Sequence, residues 1–297
     1  MRYLYYPGCS AEATSKGYDL STRAVMERLG VELVELDDWN CCGATSYFSV
    51  RELDSFAIAA RNLAIAARQG DEDLCVICNA CYTTLAKTNR YMSESDEVFK
   101  AVNGALGAVG RSYDGAKPVR HIMDILVNDV GIDAIAARVT RPLAGLKVAP
   151  YYGCQYSRPM GAFDDPEFPV TMDHLFEALG ADVVDYSGKV KCCGGMMMLT
   201  KEHGALRLCM ELLKAAQDKG ADVIVCACPL CEINLEAYQP RVNKMFGTDF
   251  KIPVMFFTQL AGLALGVTPR ELALEKQVVS CDPVVAAIAA PATPVLA

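Results

Sequence analysis

The chain has 297 residues, 52% of them hydrophobic, which is enough for a sizeable core in one large or two smaller domains and too apolar for extensive disorder. Its net charge of −8, with no block of five like charges, argues against nucleic acid as the main partner, since phosphate binding needs clustered Lys and Arg. Fourteen cysteines follow a start, MRYLYYPGCS, that lacks the basic-then-apolar pattern of an export signal, so metal or redox chemistry in a cytoplasmic protein is expected rather than structural disulfides.

Taken in chain order, RYLYYP (2–7) reads as a short apolar strand that ends at a Gly8-Cys9 turn. A helix follows and stops at Gly30, a residue suited to the position just past a helix. The strand VELVEL (31–36) then feeds Trp39-Asn40-Cys41-Cys42-Gly43. A second helix is predicted over Asp54–Arg68, and a buried strand LCVI (74–77) delivers Cys78-Asn79-Ala80-Cys81. The stretch 82–150 reads as a linker. Its ALGAVG (105–110) follows no strand, does not fit a dinucleotide fingerprint and is read as a flexible turn.

The same order then returns. LKVAPYY (146–152) is a strand ending at Gly153-Cys154, a helix stops at Gly180, and DVVDY (182–186) leads to Cys192-Cys193-Gly194. A helix over Leu206–Lys219 and a strand VIVCA (223–227) deliver Cys228-Pro229-Leu230-Cys231. The most apolar run, 252–267, is sixteen residues long; a membrane span needs about 20, so a buried helix is expected and no membrane span. The tail 284–297 is Pro/Ala-rich and reads as an arm against a partner or a loose terminus.

The spacing supports a duplication. Thirty-one residues separate Cys9 from Cys41 and thirty-seven separate Cys154 from Cys192, while thirty-four and thirty-three lie between each CCG glycine and the following CxxC. ERLGVELVEL (27–36) answers EALGADVVDY (177–186), and PVRHIMDILVNDVG (118–131) matches PVMFFTQLAGLALG (253–266) in length. Strand–helix alternation implies an α/β fold with mostly parallel sheets, in two Rossmann-like domains spanning 1–146 and 147–283, followed by the arm 284–297. In such sheets ligands collect beyond the carboxyl ends of the strands, where all three cysteine groups of each unit fall.

Adjacent cysteines rarely bridge each other, and a single tetrahedral ion prefers ligands at least two residues apart. Five thiols with two adjacent suit a larger assembly whose neighbouring irons each take one sulfur, and Gly43 or Gly194 lets both side chains of the pair face one way. A scaffold stabilised by zinc stays open as a reading. Cys209 and Cys281 read as small buried hydrophobes, and Cys75 and Cys226 as core residues or neighbours of the ligand set. Lys189, Lys191 and Arg51 flank the cysteine pairs, where they could raise a cluster's potential or be ordinary surface charge. His121 reads as a satisfied core histidine, and Met196-Met197-Met198 as pocket lining or core.

With both CCG motifs, the chain resembles the B-type polypeptide of heterodisulfide reductase over nearly its whole length. That resemblance implies two non-cubane 4Fe–4S clusters with five cysteine ligands each. Cys9, Cys41, Cys42, Cys78 and Cys81 would hold the first, and Cys154, Cys192, Cys193, Cys228 and Cys231 the second. It also implies reduction or formation of a disulfide, the two clusters each passing one electron, with a disulfide, thiol or protein-bound sulfur as substrate. Partners would be a flavoprotein (A type) and a cubane iron–sulfur subunit (C type). The complex would be cytoplasmic or attached to a membrane through its other subunits. The bacterial sulfur-oxidising branch and a succinate dehydrogenase subunit passing electrons toward quinone carry similar double CCG chains.

Overall fold

The computed structural model describes residues 1–44, 47–160 and 163–289. Its frame is a pair of four-stranded sheets in which every pairing is parallel. The first holds β1 (Arg2–Tyr6), β2 (Glu32–Glu35), β3 (Leu74–Val76) and β4 (Val119–His121) in the order β2-β1-β3-β4. The second holds β5 (Lys147–Tyr151), β6 (Asp182–Val183), β7 (Val223–Cys226) and β8 (Val254–Phe256) in the matching order β6-β5-β7-β8. The pseudo-symmetric α/β architecture expected from the repeat is therefore present. Its central strands are unbroken buried runs, as strands covered on both faces must be.

The helices Lys16–Arg28, Glu52–Gln69 and Glu202–Asp218 form where apolar spacing predicted them, each with one buried stripe. Four expectations need correction. Each sheet has a fourth strand, β4 and β8, that the sequence reading missed. Three-residue strands running straight into helix look like one apolar helical run. The stretch 252–267 thus opens as β8 before the helix Phe257–Ala264, every residue of which is buried. The supposed linker after Tyr82 is mostly helical, with Asn79–Glu94 and Asp96–Gly107, so ALGAVG is a helix end plus a turn. The tail begins as a helix, Asp282–Ala289, and 290–297 lie outside the described residues.

The two sheets share one core. The Tyr18 ring stacks on Phe256 at 4.3 Å, and its hydroxyl donates to the Ala227 carbonyl at 3.3 Å. Ser21 and Thr258 hydroxyls pair at 2.7 Å. In the same direction, from first unit to second, Asn79 donates to the Tyr152 carbonyl (2.9 Å) and Thr83 to that of Gln155 (3.1 Å). The cysteine-bearing loops of the second unit are thus braced by side chains of the first.

His121 and Phe256 end the equivalent strands β4 and β8. His121 is fully buried among Tyr82, Tyr156 and Phe163, and burial lowers its pKa from the usual 6.5 to about 3. Only half of the satisfied-histidine expectation holds. Nδ1 accepts from the Met123 N–H at 3.2 Å, while Nε2 has no partner of good geometry among the described residues.

Replacing Phe256 with Ala should cost about 3–5 kcal/mol, since it empties a filled site at the junction of the sheets. A chemical-denaturation series that finds less than 1 kcal/mol, roughly a surface-level effect, would show that the junction is not load-sharing. Because neutral His121 must stay unprotonated when folded, the unfolded chain takes up its proton first as pH falls. The native state loses stability through this group from pH 6.5 down to about 3, by up to about 1.4 kcal/mol per pH unit. His121→Phe should fold and should show a shallower loss over that window; an unchanged slope contradicts the burial account.

Candidate metal centre

The carboxyl ends of β1, β2 and β3 bring Cys9, the Cys41-Cys42 pair and the CxxC cysteines to one place, and β5, β6 and β7 do the same in the second unit. In the first set Cys9 Sγ lies 3.7 Å from Cys41 Sγ, and Cys42 Sγ lies 3.1 Å from Cys81 Sγ. Cys41 touches Cys42, and Cys81 touches Cys78. The second set repeats the chain of contacts, with Cys154 on Cys192, Cys192 on Cys193, Cys193 on Cys231 at 3.5 Å, and Cys231 on Cys228. Cys78 and Cys228 then meet across the junction. All ten motif cysteines form one string of sulfurs, with Cys9 and Cys154 at its ends.

The loops are shaped for this. Gly43 (φ 82°) and Gly194 (φ 90°) turn the chain so that both thiols of each pair join the same string of sulfurs, a conformation costly for other residues. A Cβ on Gly194 would also lie 2.8 Å from the Cβ of Ala205. A Cβ on Gly8 would come 3.2 Å from Cys81 Sγ, and one on Gly153 would come 3.2 Å from Cys231 Sγ, so the glycines before Cys9 and Cys154 leave room for sulfur. Tyr6 donates to the Asn40 carbonyl at 2.7 Å, and Tyr151 to the Lys191 carbonyl at 2.7 Å, pinning each CCG loop to its central strand. Cys78 and Cys228 sit at the N-cap positions of the helices Asn79–Glu94 and Pro229–Glu236, where the Cys81 and Cys231 amides face their sulfurs; hydrogen bonds from Cys228 and Cys81 lower Cys78, while Cys228 is pushed up to about 12.

The sulfurs share protons. Cys41 is held down to about 2 by hydrogen bonds from Cys42 and Cys9 and the Gly43 amide, and Cys192 to about 2 by Cys154, Cys193 and the Gly194 amide. Their neighbours move the other way. Cys42 is pushed up to about 12 by donating to Cys41, and Cys193 to about 12 by donating to Cys192. In each pair one sulfur is the anion and the other keeps the proton. Cys9 and Cys192 are exposed, Cys41 and Cys154 are half-buried, and the remaining six are buried. Thiolates lining a buried wall, with an exposed edge, form a donor set that fits a sulfur-ligated metal body. Among the described residues no three His, Cys, Asp or Glu side chains close on one ion-sized point. The sulfurs instead spread along a wall.

The flanking charges resolve differently from one another. Lys189 is paired with Asp173 and Asp185, and Arg51 with Asp54, whereas Lys191 is exposed. The first set opens into a cleft of about 570 Å³ whose rim carries Glu12, Glu35, Asp37 and Asp38. Met198 is buried, with Met196 and Met197 partly exposed beside it. Cys75, Cys226, Cys209 and Cys281 are buried; Cys75 and Cys226 lie one register step apart in equivalent strands, so they face opposite sides of their sheets. Sequence reasoning missed Tyr6, Tyr151, Asn62 and Asn234. The tyrosines sit inside the repeated YYPGC and YYGC strings and could have been found there. Asn62, which brackets Asn40 from both sides, and Asn234 occupy positions where the repeat does not match.

A chain whose strands present two five-thiol sets in this way is of the class of cysteine-rich redox proteins. The family model "CCG: Cysteine-rich domain" matches it twice, over residues 3–86 and 148–236. The B-type polypeptide of the ferredoxin/F(420)H(2)-dependent CoB-CoM heterodisulfide reductase of Methanosarcina acetivorans is 36% identical, covering 92% of both chains. The 8-methylmenaquinol:fumarate reductase membrane anchor subunit of Wolinella succinogenes is 31% identical, covering 93% of this chain and 96% of its own. A hypothetical protein from Helicobacter pylori shares the fold, with a TM-score of 0.77 at 15% identity over 94% of this chain and 52% of that one. The chain belongs to the CCG family in the line of heterodisulfide reductase B-type polypeptides, a group of iron–sulfur electron-transfer subunits of oxidoreductases. Among the described residues no helix is long and apolar enough to cross a membrane.

In metal-free, reduced protein at pH 5, a thiol-alkylating reagent should label Cys192 and Cys41 well before Cys9, because depressed thiols remain anionic as pH falls while Cys9 stays protonated. Mass-spectrometric mapping that finds Cys9 labelled first would contradict the proton sharing.

Proposed function

We propose that this chain is the disulfide-handling subunit of a heterodisulfide reductase-like complex, and that its ten motif cysteines hold two non-cubane 4Fe–4S clusters. The single string of sulfurs that crosses the unit boundary at Cys78 and Cys228 carries this reading. Cys9, Cys41, Cys42, Cys78 and Cys81 would hold one cluster in 1–146, and Cys154, Cys192, Cys193, Cys228 and Cys231 the other in 147–283. When bound, such a pair supplies two one-electron sites side by side, which suits the two-electron cleavage or formation of a sulfur–sulfur bond.

The chain's own residues do the rest. Gly43 and Gly194 aim the cysteine pairs, hydrogen bonds from Cys42 and Cys9 and from Cys154 and Cys193, with the Gly43 and Gly194 amides adding to them, hold Cys41 and Cys192 down, and the buried CxxC ends keep water from the inner sulfurs. Cys9 and Cys192 lie at the exposed edge, where a sulfur substrate can approach. Electrons would arrive from a flavoprotein and a cubane iron–sulfur subunit, since the sequence offers no flavin or nicotinamide motif of its own, and the complex would be cytoplasmic or membrane-associated through those partners.

A second reading has one observation in its favour, the fumarate reductase relative matched end to end. There the same two clusters would exchange electrons with a quinone-linked partner rather than with a disulfide.

Anaerobically purified protein should carry about eight irons with matching acid-labile sulfide, and Cys42→Ser and Cys193→Ser should each lose about half of it and abolish disulfide turnover. A colourless, zinc-loaded protein, or full turnover in either variant, rules the proposal out. Full iron content with electron exchange to quinones alone selects the second reading.

A further inference from the structure

We infer that Asn234 sets the two clusters at different potentials, holding the second above the first. The inference rests on the cluster assignment above and concerns how this chain treats its two sites unequally.

Most hydrogen bonds to the ligand sulfurs are matched between the units and cannot separate them. Backbone amides of Gly43 and Ala44 face Cys41 and Cys42, just as those of Gly194 and Gly195 face Cys192 and Cys193. The Cys81 and Cys231 amides likewise face Cys78 and Cys228.

Asn234 breaks the match. It follows Cys231 by one helical turn, is 1% exposed, and places Nδ2 3.6 Å from Cys193 Sγ. The same nitrogen lies 3.1 Å from the Gly195 carbonyl and 3.2 Å from that of Cys193. One N–H serves Gly195, and the other is shared between the carbonyl and the sulfur of Cys193. That carbonyl has a further donor in the Cys209 thiol at 3.4 Å. A metal-bound thiolate carries negative charge and is the stronger acceptor of the two, so loading the site draws the shared N–H toward sulfur.

The corresponding residue in the first unit, three past Cys81, is Thr84. Its hydroxyl turns back to the Ala80 carbonyl at 2.8 Å. Asn40, beside the first pair, donates its amide to the Cys41 and Ile58 carbonyls instead of to sulfur. Among the described residues no side-chain N–H or O–H donor reaches Cys42. A donor to a ligand sulfur stabilises the more negative, reduced state, and a buried one cannot be replaced by water. Asn234 is therefore a positioning and tuning residue for the second site.

The test exchanges the two residues in the full chain, purified anaerobically, with iron and sulfide counted before a redox titration followed by electron paramagnetic resonance. Cys193→Ser, which removes a ligand of the second cluster, assigns the midpoints. The wild type should show two separated midpoints, the higher belonging to the second site. Asn234→Thr should lower that midpoint and narrow the gap at unchanged iron content, and Thr84→Asn should raise the lower one. Unmoved midpoints in iron-replete variants overturn the inference while leaving the cluster assignment standing; a wild-type chain without clusters overturns both. If Asn234→Thr loses its cluster, the Thr84→Asn midpoint decides, with an upward shift in favour and none against.

Discussion

Everything in this molecule answers to the problem of placing ten thiols side by side. Buried sulfurs that share protons repel one another once they ionise, and an isolated buried charge costs several kcal/mol. The chain offsets this with fixed backbone donors. Amides at the turns after both cysteine pairs and at the starts of two helices point at sulfur before any metal arrives. Parallel strands make the arrangement possible, because all their carboxyl ends open on the same edge of the sheet.

Duplication supplies more than a second copy. The Cys154 loop rests on Asn79 and Thr83 of the first CxxC helix, and the Cys228 strand end rests on Tyr18. The frame of the second site is not complete without the first unit. The Tyr18–Phe256 stack and the Cys78–Cys228 contact tie the two sulfur sets together, as the proposed two-electron reaction at paired one-electron centres would need. The same closeness gives meaning to small differences between the halves, such as Asn234 against Thr84, or a rim of carboxylates at the first cleft.

Much of the plan could be read from the sequence because cysteine spacing and strand–helix alternation survive in both halves. The six segments that carry the motif cysteines do converge at the strand ends, and Gly43 and Gly194 have the positive φ angles that the turn demanded. What failed did so for local reasons. β4 and β8 are three residues long and continue directly into helix, so their apolar runs have no period-two signature. The helices after Tyr82 lie in a part of the first unit without a cysteine landmark. The burial of His121 among three aromatic rings and the reach of Asn234 to Cys193 depend on tertiary packing that no window of sequence contains.

The central claim is that five sulfurs from three distant segments surround one inorganic body, twice. Anomalous diffraction at the iron edge from anaerobically grown crystals tests it most directly. The account predicts two four-iron peaks, each within bonding distance of all five cysteines of its unit. Iron density touching four sulfurs in one unit, or a lone metal ion at either site, would contradict it.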